Sequence, residues 1–279
     1  MRFAKLHGAG NDYIYVNGFE TDVADPSALA VRASDRHFGI GADGLILALP
    51  PTAGGDLRMR VFNADGSEAR MCGNGVRCLA KFAVERGLAG GDVVRVETLA
   101  GIRDVRLIRD GDRIVGGSVG MGRPVLTPAD IPVALEGDRA VDVPITIDDR
   151  EMRMTCVGMG NPHAVFYVAS AADWPLETLG PKIECHELFP ERVNAHVVEV
   201  VSREEVIVRT WERGSGATLA CGTGASAVAV AGVLTGRTGR AILAHVPGGD
   251  LDVEWPEEEA EVRLTGPVEE VFTGRFPDA

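Results

Sequence analysis

Two short runs of this chain share the pattern C-G-[NT]-G, and each run opens a segment with helical character. The runs are Cys72-Gly73-Asn74-Gly75 and Cys221-Gly222-Thr223-Gly224. A second shared pattern lies upstream at nearly equal spacing: G-A-G-N ends at Asn11 ahead of Cys72, and G-M-G-N ends at Asn161 ahead of Cys221. The matched order and spacing predict a chain built from two copies of one unit.

The segment after Cys72 predicts an amphipathic helix. Its apolar residues recur at the spacing of one helical face, and Arg77, Lys81 and Glu85 are expected to form a charged stripe on the opposite face. Gly87 is the expected end of this helix, because glycine commonly follows the last helical turn.

The segment after Cys221 has a different character. Residues 222–236 carry no charge, and their Ala, Val and Leu occupy every face, which predicts a helix buried on all sides. Asn74 and Thr223 are expected as N-caps, which places each cysteine just ahead of a helix N-terminus. The free N–H groups and the helix dipole there are expected to lower a thiol pKa. A purely structural role as two small buried side chains does not explain why both cysteines recur in one glycine-flanked setting.

Length and composition limit the class of protein. The chain has 279 residues, 45% of them hydrophobic, which is enough for two domains with their own cores. A net charge of −13 argues against nucleic acid and anionic membranes as partners. The opening residues form no apolar signal segment and no long apolar stretch of membrane-spanning length occurs, so we expect a cytoplasmic protein. Five cysteines in such a chain indicate reduced thiols rather than disulfides.

The remaining pattern consists of many short strands separated by turns. It predicts an α+β fold, in which two pseudo-symmetric units of mixed, antiparallel-rich sheet are each wrapped round a central helix. A proline-rich stretch at 123–132 sets the boundary between the units. The predicted N-terminal unit is 1–122, completed by a C-terminal strand within 268–279, and the predicted C-terminal unit is 123–267.

Three local patterns bear on smaller elements. Asp25-Pro26 predicts the start of a further helix, over 27–36, that ends near Gly39. The run 39–44 fits the dinucleotide pattern G-x-G-x-x-G, but a helix precedes it and a strand follows, which is the reverse of a Rossmann turn. The run 116–120 fits the hydrolase pattern G-x-S-x-G, yet no helix follows the serine. Neither motif therefore indicates the function.

Two cysteines at two helix N-termini suit inversion at a carbon acid. If the two units face each other by pseudo-twofold symmetry, one thiolate removes an α-proton and the opposite thiol delivers a proton to the other face. The N–H groups of Gly73, Asn74, Gly222 and Thr223 are expected to hold the negative charge that develops on the substrate carboxylate. No C-x-x-C or H-x-x-x-H metal motif occurs, and a pyridoxal cofactor, which the pattern does not exclude, would be redundant beside paired thiols.

Several other polar residues are candidates for binding a substrate. Glu212 offers a carboxylate for an ammonium group and Arg213 offers a guanidinium for a carboxylate, which together would bind one amino acid end. A surface charge pair is the alternative interpretation. The remaining candidates are Asn63, His163 and Asn194, although each asparagine taken singly is typical of a turn.

These motifs together resemble the diaminopimelate epimerase family: H-G-A-G-N-D, M-C-G-N-G-V-R-C, G-N-P-H, R-V-N-A and W-E-R-G-S-G-A-T-L-A-C-G-T-G. The resemblance runs the length of the chain. It implies a cofactor-independent two-base epimerase that interconverts LL- and meso-2,6-diaminopimelate for lysine and peptidoglycan precursor biosynthesis, with Cys72 and Cys221 as acid and base. The implied partner is this small-molecule substrate, and a homodimer is left open.

Carried onto matching positions, the resemblance implies a set of substrate-binding residues: Asn11, Asn63, Gly73, Asn74, Asn161, Asn194, Glu212, Arg213, Gly222 and Thr223. It also implies that His163 and Glu212 tune the pKa values of the thiols. Some family members have Gln where this chain has Gly44, so a side-chain contact from that position is not expected here.

Three alternatives remain open from the sequence. Racemases of proline or hydroxyproline share the paired C-G-x-G plan but should lack a pocket for a second amino acid end. A thiol-based redox or hydrolytic enzyme would have one nucleophilic cysteine, with a resolving cysteine or a histidine partner, and would form a covalent intermediate. A non-catalytic binding protein would tolerate the replacement of either cysteine by alanine.

Overall fold

The computed structural model describes residues 1–277 of the chain. Its contacts divide the chain into two compact units. Unit 1 comprises Met1–Gly120 and Thr265–Ala279, and unit 2 comprises Met121–Leu264. The boundaries predicted from the sequence lie after residues 122 and 267.

Unit 1 is a mixed sheet around one central helix. Its elements, in chain order, are β1 (Arg2–Gly8), β2 (Asn11–Asn17), α1 (Pro26–Ser34), β3 (Gly44–Leu49), β4 (Leu57–Asn63), β5 (Glu68–Ala69), α2 (Gly73–Glu85), β6 (Val93–Thr98), β7 (Gly101–Asp110) and β8 (Arg113–Gly120). Helix α2 packs against β1, β2, β3, β7 and β8, which buries nearly all of its first three turns. The turn between β1 and β2 places Ala9 and Gly10 at φ 51° and 79°.

Unit 2 has the same plan around a second central helix. Its elements are β9 (Val143–Ile147), β10 (Arg150–Gly158), β11 (Pro162–Tyr167), α3 (Leu176–Glu184), β12 (Asn194–Val200), β13 (Glu205–Glu212), β14 (Gly216–Thr218), α4 (Gly222–Leu234), β15 (Ala241–Val246) and β16 (Gly249–Glu254). Strand β17 (Arg263–Pro267) begins in unit 2 and ends in unit 1. The final strand, β18 (Glu269–Arg275), belongs to unit 1 and pairs with β1. Helix α4 is buried from Gly224 to Gly232, which confirms the prediction of an all-round buried helix.

The two units repeat one series of strand pairings. In each, an antiparallel hairpin (β1–β2, β10–β11) is followed by a parallel pair (β2–β3, β11–β12) and an antiparallel pair (β3–β4, β12–β13). A parallel pair (β4–β6, β13–β15) and an antiparallel pair (β6–β7, β15–β16) complete the series. The predicted α+β class with mixed, antiparallel-rich sheets is therefore confirmed.

The strand register gives residue equivalences between the units. Tyr13 pairs with Gly44 across β2 and β3, as His163 pairs with Asn194 across β11 and β12. Ile46 pairs with Val61, as His196 pairs with Thr210. The register thus makes the following positions equivalent: Tyr13 and His163, Gly44 and Asn194, Ile46 and His196, Val61 and Thr210, and Asn63 and Glu212. In the helices, alignment of the two C-G-[NT]-G runs makes Gly75 equivalent to Gly224 and Arg77 equivalent to Ser226.

Two features of the helices differ from the sequence analysis. Helix α1 ends at Ser34 and not near Gly39, because the Asp35 carboxylate accepts the N–H groups of His37 and Phe38 at 2.7 and 2.8 Å and closes a turn there. Helix α3 lacks a sequence prediction altogether. Pro175 precedes it and Pro181 lies within it, and proline normally ends or interrupts a helix.

The charged residues of α2 do not form an outer stripe. Arg77 is 0% exposed and Lys81 is 8% exposed, so the prediction of a charged face opposite the apolar one is wrong. The reason is the central position of α2, whose polar side chains must find partners inside the unit. Lys81 does so by donating to the carbonyl of Ile114 at 3.0 Å and to the carboxylate of Glu85 at 2.5 Å.

The two discounted motifs have ordinary structural roles. Residues 116–120 lie inside β8, and residues 39–43 form the loop that leads into β3. Within residues 1–277, no helix is both long enough and apolar enough to cross a membrane.

Candidate active site

Each of the two cysteines is itself the N-cap of its helix. Cys72 precedes α2 with φ −132° and ψ 119°, and Cys221 precedes α4 with φ −120° and ψ 107°. Asn74 and Thr223 are the second residues of these helices, so their prediction as N-caps is wrong. An N-cap residue has an extended backbone, and its side chain meets the first free N–H groups of the helix. The Cys72 side chain accepts the N–H of Gly75 in this way, whereas the Cys221 side chain makes no capping hydrogen bond.

The Cys72 sulfur lies among polar groups of unit 1. The N–H of Gly75 donates to Sγ at 3.3 Å, and the thiol lies 3.4 Å from Oδ1 of Asn11. Nδ2 of Asn74 donates to the same Asn11 oxygen at 3.4 Å. Tyr13 is a further hydrogen-bond partner of the thiol. Asn11 thus forms one cluster with Cys72 and Asn74, which belong to a different sequence motif.

The Asn11 amide is held in one orientation by charged residues. Its Nδ2 donates to Oδ2 of Asp43 at 2.7 Å, and the other oxygen of Asp43 accepts from Arg36 at 2.9 Å. Arg36 also donates to Asp12 at 2.9 Å. Because Asp43 occupies the NH2 end of the amide, the carbonyl end faces Cys72. Asp43 and Arg36 are not among the predicted site residues, although Asp43 lies within the discounted run 39–44 and Arg36 lies just before it.

Burial raises the pKa of the Cys72 thiol above its ordinary value. The N–H of Gly75, the Tyr13 side chain and the charge of Arg77 lower this pKa but do not outweigh burial. The expectation of a lowered pKa at a helix N-terminus is therefore wrong for the free protein, because the loss of hydration destabilises the thiolate more than these groups stabilise it.

The Cys221 thiol is more strongly affected. Burial, and after it the Glu212 carboxylate, raise the pKa of Cys221 well above its ordinary value. The hydroxyl of Thr223, whose Oγ1 lies 3.5 Å from Sγ, and the N–H of Gly224 act in the opposite direction. Cys221 is 6% exposed. The expectation of a lowered thiol pKa is wrong here too, and the implied influence of Glu212 on a thiol pKa is present with a raising sign.

Glu212 and Arg213 have separate partners within unit 2. One oxygen of Glu212 accepts from the hydroxyl of Thr218 at 2.6 Å. The Arg213 guanidinium donates to the carbonyl of Glu191 at 2.7 Å, and the Arg213 N–H donates to Oδ1 of Asn194 at 2.9 Å. Each side chain thus has a hydrogen-bond partner in unit 2, and their binding role stays a prediction.

Asn194 is buried and connects two strand ends. Its Oδ1 accepts the Arg213 N–H, and its Nδ2 donates to the carbonyl of Pro162 at 3.0 Å. Both ends of the amide are thus used by the backbone of unit 2. Asn194 positions the segments that carry His163 and Arg213, and its contact with a substrate stays a prediction.

Asn161 is connected to a buried chain of side chains. Its Oδ1 lies 2.7 Å from Nε2 of His163, whose Nδ1 lies 2.8 Å from Nε2 of His196, and Nδ1 of His196 lies 2.9 Å from Oγ1 of Thr210. Burial lowers the pKa of His163 well below its ordinary value, with further lowering by His196 and Arg213. Burial also lowers the pKa of His196 to about 3. Both rings are therefore neutral at pH 7.

His196 and Thr210 are site neighbours that the sequence analysis missed. The available signal was a histidine in the middle of the apolar strand β12, at the position equivalent to Ile46. An imidazole inside a strand needs polar partners, and these two residues and His163 provide them for one another. The role of His163 in tuning a thiol stays a prediction.

Gly44 has no space for a side chain. A Cβ atom there would lie 2.1 Å from the carbonyl oxygen of Phe62 and 2.9 Å from Cε1 of Tyr13. The local backbone therefore leaves no room for a glutamine at position 44, in agreement with the expectation that no side-chain contact comes from this position. Asn63, opposite Gly44, donates to Oγ of Ser67 at 2.9 Å within a turn, and its substrate role stays a prediction.

The predicted site residues fall into two groups, one in each unit. Unit 1 contains Asn11, Asn63, Cys72, Gly73 and Asn74, and unit 2 contains Asn161, His163, Asn194, Glu212, Arg213, Cys221, Gly222 and Thr223. In each group a cysteine, an upstream asparagine and the first turn of a central helix recur. The arrangement of each group suits proton transfer by a thiol beside hydrogen-bond donors for an anion.

A comparison with known proteins shows close relatives along the whole chain. A family model described as diaminopimelate epimerase matches residues 3–127 and 155–271. The diaminopimelate epimerase of Acetivibrio thermocellus is 52% identical over 276 residues, which cover 98% of each chain. That of Moorella thermoacetica is 51% identical over 278 residues, which cover 99% of each chain.

A solved structure supports the description of the fold. A crystal structure of a hydroxyproline epimerase from Agrobacterium vitis, with bound trans-4-hydroxy-L-proline, matches this chain with a TM-score of 0.72 at 17% identity. The match covers 98% of this chain and 91% of that one. At this identity the likeness concerns the fold alone.

Proposed function

Because this chain belongs to the diaminopimelate epimerase family, we propose that it inverts one α-carbon of 2,6-diaminopimelate and so interconverts the LL and meso isomers. Family membership makes the chain an epimerase, within the isomerases. In the proposal Cys72 and Cys221 are the two bases, and no cofactor takes part. The product would serve the synthesis of lysine and peptidoglycan precursors.

The proposed reaction consists of two proton transfers on opposite faces of one carbon. One cysteine thiolate takes the α-proton, and the electron pair of the broken C–H bond moves onto the adjacent carboxylate. The other cysteine thiol then gives its proton to the opposite face, where the returning electron pair forms the new C–H bond. One thiol has gained a proton and the other has lost one, so the reverse reaction uses the same groups in exchanged roles.

The negative charge on the carboxylate is the main barrier to this reaction. The first turns of α2 and α4 present backbone N–H groups at Gly73, Asn74, Gly222 and Thr223, which are suited to hold such charge. Loss of one donor of this kind typically costs about 3 kcal/mol in the barrier. The fixed donors are therefore proposed to supply much of the rate enhancement.

The raised thiol pKa values have two consequences for the proposal. Each thiol is protonated in the free protein, so some group must take the first proton. In the direction of reaction in which Cys221 is the base, Glu212 is the proposed acceptor of its proton, because the Glu212 carboxylate acts directly on that thiol. Once formed, a buried thiolate of raised pKa is also a stronger base toward a weak carbon acid.

One observation carries the proposal: a cysteine recurs as the N-cap of the central helix of each unit, with the same extended backbone conformation in both. A single nucleophilic cysteine in a redox or hydrolytic enzyme has no need of such a repeat. The mechanism requires both thiols to reach one carbon, and this requirement is open to test.

The test is epimerisation of LL-diaminopimelate in deuterated water. We expect the meso product to carry one solvent deuterium at the inverted carbon, because the incoming proton comes from a thiol that exchanges with solvent. Mass spectrometry of product formed during the first turnovers measures this label. Product that keeps all of its original hydrogen would contradict a two-base route.

Proline and hydroxyproline under the same conditions provide the comparison with the nearest alternative. We expect neither to gain deuterium or change optical rotation. Racemisation of proline without turnover of diaminopimelate would replace the proposed substrate while keeping the paired cysteines. Mass spectrometry of protein trapped with substrate should find no covalent adduct, since an adduct would favour a nucleophilic cysteine.

A further inference from the structure

Arg77 is a fully buried charge without a carboxylate partner. It is 0% exposed and lies in the second turn of α2, shortly after Cys72. Its guanidinium donates to the carbonyl of Gly73 at 3.1 Å and to Oδ1 of Asn74 at 2.9 Å, and its Nε has no partner. Among residues 1–277 no Asp or Glu lies within ion-pair distance of it. Arginine remains protonated in proteins, so this is a positive charge held by neutral oxygens only.

The surrounding backbone is shaped to admit this side chain. A Cβ on Gly117 would lie 3.2 Å from Cβ of Arg77, and a Cβ on Gly8 would lie 3.3 Å from its Nη2. Two glycines on separate strands thus leave room for the stem and for the head group. Burial of a charge is costly unless an opposite charge compensates it, so a position built for an unpaired arginine calls for an explanation.

Unit 2 shows that the helix itself does not need this charge. The equivalent residue is Ser226, whose hydroxyl donates at 2.9 Å to the carbonyl of Gly222, the counterpart of Gly73. A neutral hydroxyl therefore satisfies the same helical carbonyl. Cys221 has the Glu212 carboxylate as its charged neighbour, whereas Cys72 has the Arg77 guanidinium. A buried positive charge at this helix position is therefore found beside the thiol of unit 1 and not beside that of unit 2.

Three acids are close enough to interact with the Arg77 charge: Cys78, Cys72 and Tyr15. Burial raises the pKa of Cys78 to about 12 and the pKa of Tyr15 well above its ordinary value, so both stay neutral near pH 7. Cys72 is the one whose ionisation the proposed function requires. It is also connected to Arg77 through Asn74, which accepts from Arg77 and donates to Asn11 beside the thiol.

We propose that Arg77 is a positioning residue that provides the fixed counter-charge for the thiolate of Cys72, so that Cys72 ionises ahead of Cys221. The inference rests on the proposed function for the need of a thiolate, but its test uses no substrate. In the resting protein the Arg77 guanidinium donates to the oxygens of Gly73 and Asn74. It gains an opposite charge only when Cys72 loses its proton.

The experiment measures thiolate formation by alkylation in a Cys221→Ser background. Peptide mass spectrometry follows the iodoacetamide labelling of Cys72 from pH 6 to pH 10. The Cys221→Ser parent, which keeps Arg77, is compared with the variants Arg77→Lys, Arg77→Gln and Arg77→Met in the same background. An opposite charge within about 4–6 Å typically lowers an acid pKa by about 1–3 units. We therefore expect the Gln and Met variants to alkylate Cys72 about tenfold more slowly or worse at pH 7.5, with the profile moved to higher pH.

The Lys and Gln variants separate charge from structure. Both side chains are long and donate hydrogen bonds, but only lysine carries the charge, so Arg77→Lys should keep most of the Cys72 reactivity. Exposed Cys185 in the same samples is the internal reference, and Lys81→Met, which removes a different buried cation of α2, is the control variant. Equal slowing by Lys and Gln, or an unmoved profile in folded Gln and Met variants, would overturn the proposal.

A kinetic readout distinguishes this role from direct substrate binding. With Cys221 present, Arg77→Gln should lower kcat for diaminopimelate while KM stays unchanged, because the lost charge acts on the thiol. A raised KM with unchanged alkylation would assign Arg77 to the substrate carboxylate and overturn the counter-charge. A wild-type protein that does not epimerise diaminopimelate would refute the proposed function and leave the alkylation result standing.

Discussion

The two units hold their cysteines with nearly the same backbone but surround them with different charges. Cys72 and Cys221 are both N-caps of central helices that follow the same strand order. Beside Cys72 lies the buried Arg77 guanidinium, and beside Cys221 lies the Glu212 carboxylate. The repeat has thus kept its backbone geometry, while the charged groups that act on the two thiols beside burial have opposite signs.

A second difference lies in the layer beneath each helix N-terminus. Unit 1 has Ile46 and Val61 where unit 2 has His196 and Thr210. The apolar pair needs no partner, but the polar pair forms part of the chain that ends at Asn161. Unit 2 therefore fixes its asparagine through neutral rings, whereas unit 1 fixes Asn11 through the charged Asp43.

This comparison indicates that the two thiols are not interchangeable. In the proposed reaction both thiols act on one stereocentre, and each ends a turnover in a different protonation state from its start. Opposite neighbouring charges make one thiol easier and the other harder to ionise. The following changes test whether the geometry that the units share, or the charges in which they differ, controls the activity.

Replacement of either cysteine by alanine should have the largest effect. Cys72→Ala and Cys221→Ala should each reduce kcat/KM for epimerisation by about 10³-fold or more, since positioned acids and bases contribute about 10²–10⁴-fold and both faces need one. Optical rotation follows the loss, and exposed Cys185→Ala is the control with unchanged rate. Near-full turnover by either variant would mean that the repeated cysteines do not share one reaction.

Glu212→Gln should lower the pKa of Cys221, whereas the loss of Arg77 should raise the pKa of Cys72. Removal of the carboxylate lowers the pKa of Cys221, so iodoacetamide should label it faster at pH 8 in a Cys72→Ser background. Epimerisation with both cysteines present should nevertheless fall by about 10²-fold, because the proposed proton acceptor is gone. The introduced amide retains an oxygen for the Thr218 hydroxyl.

Glu205→Gln is the matched control for this variant. It removes a carboxylate from the opposite end of β13, where Glu205 is paired with His245. Labelling of Cys221 should be the same as in the parent protein. Slower labelling in Glu212→Gln would show that the carboxylate favours the thiolate, and the contrast between the two units would then be lost.

The repeat itself was the most predictable part of the fold. The helical spacing of apolar residues and the two C-G-[NT]-G runs predicted both central helices. They also placed each cysteine at the start of its helix, because a helix and its N-terminal turn depend on local residues. The α+β class followed from short strands with turns. Helix α3 did not, since Pro175 and Pro181 oppose a helix locally and its packing against β12, β13 and β14 is a tertiary effect.

The electrostatics of the site could not be predicted in the same way. A helix N-terminus does act to lower a thiol pKa, but the degree of burial that reverses this sign depends on the whole unit. The burial of Arg77 was likewise missed, because its spacing on α2 is that of an exposed face. His196 and Thr210 lie on different strands and become a pair only through strand register.

A matched pair of glycine substitutions tests the layer that differs between the units. A Cβ on Gly75 would lie 2.6 Å from Cδ1 of Ile46, a terminal methyl that can rotate away. A Cβ on Gly224 would lie 2.2 Å from Cε1 of His196, whose ring is held on both sides by hydrogen bonds. Gly224→Ala should therefore lower the free energy of unfolding by about 1–3 kcal/mol through overpacking.

Gly75→Ala should change the free energy of unfolding by less than about 1 kcal/mol, because the gain of helix propensity offsets the displaced methyl. Denaturant unfolding of both variants measures the difference. If both lose stability equally, the His196 layer is no more rigid than its apolar counterpart.

The pH dependence of stability should reveal the buried histidines of unit 2. Because the folded pKa of His196 is lowered to about 3, the folded ring stays neutral while the unfolded ring binds a proton below about pH 6.5. Stability is thus present above pH 6.5 and is lost as the pH falls toward 3, by about 1 kcal/mol between pH 7 and pH 5.5. All three tryptophans, Trp174, Trp211 and Trp255, lie in unit 2, so their fluorescence follows this unit.

His196→Gln should flatten this slope, and His245→Gln should steepen it. Asp250 and Glu205 raise the pKa of His245, so its contribution is present below about pH 6.5 and is lost as the pH rises through the folded pKa, the opposite sign to His196. Guanidinium titrations at pH 7 and pH 5.5, followed by tryptophan fluorescence, compare the two variants with the parent. If His196→Gln keeps the parent slope, the ring is not held neutral, and the polar layer would then differ from Ile46 and Val61 in shape rather than in charge.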